Sequence, residues 1–120
     1  MKAKLLVLSF LVTIGLFGCK YEKISGCDTT NVKFSTTIKP ILQNHCYTCH
    51  GQSQYLTNGN GKNLEIFDSL KIFVNSGQLV KAVNWSDPSN VPTMPQGGPK
   101  LADCDIQQVE KWVLDGAPNN

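Results

Sequence analysis

Between residues 46 and 50 the chain reads Cys46-Tyr47-Thr48-Cys49-His50, and this run restricts the fold more than any other. On a turn of helix, Cys46 and Cys49 stand three residues apart and His50 four from Cys46, so all three side chains can share one face. The remaining elements have to be arranged around that face.

Its chemistry points to haem. C-x-x-C-H is the attachment signature of c-type haem. Two thiols at this spacing can bond the two vinyl groups of one porphyrin, and the imidazole beside them then lies over the ring centre, where a neutral nitrogen binds iron. Cys46 and Cys49 therefore read as the covalent pair for a single haem c, and His50 as the fifth iron ligand. A zinc site is the first rival. Zinc usually takes four ligands, yet the only other histidine, His45, adjoins the same motif and no second cysteine pair follows at finger-like spacing. A thioredoxin-like C-x-x-C wants a βαβ setting that this sequence lacks. His45 itself would need the same short helix to double back to reach the far side of the iron; a surface or propionate-contacting role suits it better.

The beginning of the chain reads as an export signal. Lys2 and Lys4 precede a mostly apolar stretch from Leu5 to Gly18, long enough for a signal-peptide core and shorter than the roughly 20 residues of a spanning helix. Leu16-Phe17-Gly18-Cys19 resembles the lipobox of bacterial lipoproteins. That resemblance implies lipidation of Cys19 as the first residue of the mature chain and an anchor at a membrane, each buried methylene contributing about 0.8 kcal/mol. The expected organisation is a signal peptide over 1–18, a lipidated N-terminus and tether over 19–33, and one domain over 34–120. Export agrees with haem attachment, which takes place outside the cytoplasm.

Without Lys2 and Lys4 the lysines and acidic residues balance, no arginine is present and no basic run occurs, so nothing favours a nucleic-acid partner. Haem propionates would have to lie near solvent or accept bonds from Lys, Trp or backbone donors. The cysteine count is more informative. With Cys46 and Cys49 assigned to haem and Cys19 to lipid, Cys27 and Cys104 remain, and in an oxidising compartment two leftover thiols are expected to pair. The polar, turn-forming stretch from Lys20 to Asn31 reads as a tether.

The apolar spacing predicts a helix from Ser35 into the motif, capped by Ser35, Thr36 or Thr37, with Ile38, Ile41 and Leu42 on one face and Pro40 tolerated only in a first turn. After a loop over 52–63, a helix is expected over about 67–75 with Gly77 as its left-handed cap, then a short one over 78–84. Leu79, Val80 and Val83 give this second helix its apolar residues. A last helix over about 103–115 should start at Asp103 as N-cap and present Ile106, Val109 and Val113 as a stripe with Trp112 flanking it as a core aromatic.

Between Trp85 and Lys100 the density of Pro and Gly excludes regular structure and makes a stiff loop. It carries Met94, the one methionine after the signal segment. A thioether is a soft ligand that suits haem iron, and Met opposite His raises the reduction potential; the plainer role is to fill an apolar gap. The rigid Thr93-Met94-Pro95 setting and the lack of a competing histidine favour the ligand.

Taken with Met94-Pro95 and the closing run Trp112 to Ala117, the C-x-x-C-H motif makes the chain resemble a small bacterial class I c-type cytochrome in lipoprotein form, over roughly residues 34–119. The resemblance implies an all-α, cytochrome c-like fold of three to five short helices wrapped around one covalent haem, with Cys46 and Cys49 as thioethers and His50 and Met94 on the iron. It implies an electron carrier, not an enzyme, passing single electrons between a donor and an acceptor protein at the membrane face of a bacterial periplasm or cell envelope. Two further readings stand beside it: a haem enzyme or sensor whose open iron binds peroxide or a diatomic ligand, and a haem subunit of a larger respiratory complex.

Overall fold

The computed structural model describes residues 26–120; the expected signal segment over 1–18 and the lipid-bearing Cys19 lie outside the described residues. Among the described residues the regular structure is helical, with no strand, as an all-α class requires.

The first helical stretch begins as a π-helical turn, Phe34–Ile38, that runs directly into α1, Lys39–His45. Pro40 accounts for the change of pitch. In a regular helix starting at Phe34 it would leave the Thr36 carbonyl without its donor and press its ring on that carbonyl. The wider turn instead pairs the Ile38 N–H with the Lys33 carbonyl at 3.1 Å and the Lys39 N–H with the Phe34 carbonyl. Pro40 then falls at the start of the α-helical part, where its missing N–H is harmless. None of Ser35, Thr36 and Thr37 caps this stretch, contrary to expectation. Asn120 does so from the other end of the chain, its side-chain oxygen accepting the Phe34 N–H and its carbonyl the Ser35 N–H, each at 2.8 Å.

Cys46 separates α1 from α2, Tyr47–His50, a single turn. The chain then loops out and returns to α3, Phe67–Asn75, and α4, Gln78–Asn84, with Gly77 at φ 73° making the left-handed corner between them. The loop that follows leads to α5, Asp103–Leu114. Its N-cap is Ala102, without a side-chain bond, and Asp103 is its first residue, where with Asp105 it complements the helix dipole but caps nothing.

The core joins the first stretch, α3 and α5. Phe34 stacks on Trp112 at 5.7 Å between centroids and meets the edge of Phe67 at 4.9 Å. Pairs of this kind add about 0.5–1.5 kcal/mol beyond their burial. Trp112 is fully buried and its indole N–H donates to the Pro118 carbonyl at 3.0 Å. The buried stripe of α5 is therefore Ile106, Val109 and Trp112, with Val113 at its edge, a small rotation from the stripe expected.

The last part of the expected tether is packed. Cys27 and Cys104 are joined by a disulfide with Cα atoms 5.3 Å apart, Gln108 on α5 donates to the Asp28 carbonyl at 3.0 Å, and Thr29 and Val32 are buried. Among the described residues, the segment before Phe34 is thus tied to α5 and the core. The polar composition of 27–33 concealed this, because it is held by one covalent bond and a few buried groups rather than by an apolar pattern.

Candidate functional site

A cavity of about 310 Å³ opens between the motif turn, α4 and the Pro-rich loop, at the lower end of the roughly 300–1,000 Å³ typical of small-molecule sites. Cys46, Cys49, His50 and Met94 all line it, with Leu64, Phe73, Leu79, Val83 and Val91 as apolar wall. The fold has brought the methionine from a distant loop to the same opening as the motif.

Backbone contacts fix the histidine. The His50 Nδ1 lies 3.0 Å from the Lys62 carbonyl; a carbonyl can only accept, so Nδ1 carries the proton and Nε2 is the ring nitrogen left with a free lone pair. The Leu64 N–H donates to the His50 carbonyl at 2.9 Å. The loop over 52–63 thus returns to hold the residue by ring and backbone together. Gly59 gives it room: a Cβ there would meet the Cys49 carbonyl at 2.7 Å, the Tyr55 Cα at 2.8 Å and the His50 Nδ1 at 2.9 Å.

Met94 is held as closely. Its N–H donates to the Ala82 carbonyl at 3.0 Å, and its own carbonyl accepts the Trp85 indole N–H at 2.9 Å. Since Trp112 donates to Pro118, both indole donors of the protein are engaged within the fold. Lys62, Asn58, Asn60, Gln78 and Gln96, with His45 and His50, are polar side chains on the cavity wall.

Cys46 is buried and Cys49 exposed. Burial first, and then the neighbouring Cys49, push the Cys46 thiol up to about 11, so it stays protonated at neutral pH. Thiol–disulfide catalysts depend on the opposite, a thiol whose pKa is depressed. The Tyr47 hydroxyl is buried without a hydrogen-bond partner, and burial, Glu65 and Cys46 raise its pKa; nothing packed around it explains that cost. His45 lies at the cavity with its Nε2 3.7 Å from Asp105 on α5, a contact between two helices. Among the described residues no three His, Cys, Asp or Glu side chains converge into a metal-binding group, fewer than a tetrahedral zinc site uses.

The groups that hold the site were not singled out in the sequence. Gly59 lies in a loop, Lys62 acts through its carbonyl, and Trp85 opens the Pro-rich loop, so residue type alone does not mark any of the three. Comparison with protein-family models, curated proteins and solved structures finds no match to this chain. No helix among the described residues is long and apolar enough to cross a membrane.

Proposed function

We propose that this chain is a mono-haem c-type cytochrome of cytochrome c-like fold that carries single electrons between a donor and an acceptor protein in a bacterial periplasm or cell envelope, anchored to a membrane through a lipidated Cys19. The observation that carries this reading is the lining of one apolar cavity by Cys46, Cys49, His50 and Met94. The residues fit the group. Cys46 and Cys49 would hold haem by two thioethers, and His50 Nε2 and the Met94 sulfur would ligate its iron. Bound there, haem supplies a one-electron iron couple whose potential a His/Met pair raises.

What the chain itself does is orient and exclude. The Lys62 carbonyl fixes the His50 tautomer and makes Nε2 a stronger donor. Leu64, Phe73, Leu79, Val83 and Val91 keep water from the cavity wall. A Cys46 thiol held protonated is the opposite of the depressed thiol that redox exchange uses.

The test is an optical spectrum of the protein purified from a host able to attach haem c, in both oxidation states. A covalently retained haem, low-spin when oxidised, with a weak far-red band that disappears in Met94→Ala, is the expected result. A high-spin spectrum with rapid carbon monoxide binding would move the protein to ligand or peroxide chemistry. Failure to retain haem would end the reading.

A further inference from the structure

Trp85 stands at the end of α4 in the left-handed conformation, φ 58° and ψ 32°. Helices often end in this conformation, but glycine normally supplies it, because an L side chain there crowds the backbone and a bulky one is an outlier. A strained residue calls for a compensating contact. Burial is a weak one here, since Trp85 is among the exposed large apolar residues, at 37% of its surface. The specific contact is the indole N–H on the Met94 carbonyl at 2.9 Å.

The same helix end makes the complementary bond. The Ala82 carbonyl belongs to the last turn of α4, where carbonyls run out of helical donors, and it accepts the Met94 N–H at 3.0 Å. Met94 is thus gripped on both sides of its Cα by groups three residues apart on one helix terminus. The left-handed turn at Trp85 lets one short segment present both a carbonyl and an indole to it. Glycine would make that turn at lower cost and lose the donor.

We infer that Trp85 is a positioning residue for Met94: its indole N–H on the Met94 carbonyl, with the Ala82 carbonyl on the Met94 N–H, holds this methionine at the cavity. The inference rests on the proposed role of Met94 as an iron ligand. Trp85 touches the backbone of the ligand and not the metal, so its loss acts by letting Met94 move away.

The experiment uses the full-length, haem-loaded protein and compares the unmodified chain with Trp85→Phe, which keeps an aromatic ring and loses the donor, and Trp85→Gly, which also relieves the left-handed backbone. Two quantities are read on the oxidised protein: the intensity of the far-red band of Met-bound haem, and the affinity for imidazole, which competes for the Met94 position. Thermal melting is followed alongside. The expected result is a weakened band and about tenfold tighter apparent imidazole binding in both variants, the size of one lost hydrogen bond, with Trp85→Gly melting no lower than Trp85→Phe. Parallel loss of ligation in the two variants despite their different backbones marks a positioning role, since a merely structural one would follow the melting temperature. A band and an imidazole affinity in Trp85→Phe equal to those of the unmodified protein would overturn the inference while leaving Met94 ligation intact. Lack of the band in the unmodified protein would overturn the ligation itself and the inference with it.

Discussion

His50 is confined by a carbonyl on one ring nitrogen and by a residue with no side chain beside it. The position of Gly59 is set by close approach, and its prediction follows. In Gly59→Ala the new methyl would meet two backbone atoms and the His50 ring within 3 Å, and backbone cannot swing away as a flexible side chain can. Overpacking of this kind costs about 1–3 kcal/mol, and here the histidine is one of the groups displaced. Gly98→Ala is the matched control, because its methyl would meet the Pro95 Cβ at an ordinary 3.5 Å. Chemical denaturation of the two variants should place Gly59→Ala lower by that amount and Gly98→Ala near the parent; equal midpoints would contradict the packing argument. The contrast also marks what was legible in the sequence. Cys46, Cys49, His50 and Met94, which line one cavity, can be singled out because a candidate chemistry is carried by each side chain. Gly59, the Lys62 carbonyl and Trp85 act through space, backbone or a remote contact, so the residue type alone does not reveal the role.

The loop between α4 and α5 decides where Met94 lies, and Asp87 organises its first turn. Its carboxylate accepts the Asn90 side-chain amide at 2.8 Å and Lys81 at 3.1 Å, while its carbonyl accepts the backbone N–H groups of Asn90 and Val91. The Asn90 bond first, and then the Lys81 bond, hold the Asp87 carboxyl below the usual carboxylate range. A depressed folded-state pKa means a contribution present above the ordinary value and lost as pH falls through the folded one. The loop should therefore hold from neutral pH down to about pH 4 and loosen below it. Followed by nuclear magnetic resonance, the Asn90 side-chain amide should shift in that acid range in the parent and show no such step in Asp87→Asn; a step that persists would assign the titration elsewhere. Regular elements were more legible than this loop. Glycine punctuation and apolar spacing locate α3 and α4, because both signals are local. The cap of the first helical stretch was not readable, since Asn120 reaches it from 86 positions away, nor was the π turn, which resolves a conflict between Pro40 and a helix already under way.

At the scale of the whole molecule, two of the devices that join the ends of the described chain are the aromatic group of Phe34, Phe67 and Trp112 and the Cys27–Cys104 disulfide. They do different work. Deleting the large buried side chain in Trp112→Ala should cost about 3–5 kcal/mol, because the first stretch, α3 and α5 all lose the same partner. Trp112→Phe keeps the ring contacts and removes the bond to Pro118, so about 1 kcal/mol is expected; equilibrium denaturation of the pair separates packing from hydrogen bonding. The disulfide closes a loop with a sequence separation of 77, for which the chain-entropy model gives about 4 kcal/mol, most of it from restricting the unfolded chain. The paired variant Cys27→Ser with Cys104→Ser should therefore lower the unfolding free energy by about 2–4 kcal/mol, while the bonds at His50 and Met94, which involve neither cysteine, stay in place. Locally, the segment around Thr29 and Val32 would keep only its few buried groups and the Gln108 bond, so it should open before the core does. Hydrogen exchange on the variant tests both parts. Faster exchange confined to residues 27–33, with the motif turn and the Met94 loop unchanged, is the expected pattern; faster exchange at the motif turn and the Met94 loop as well would mean that the N-terminal clamp and the cavity form one cooperative unit.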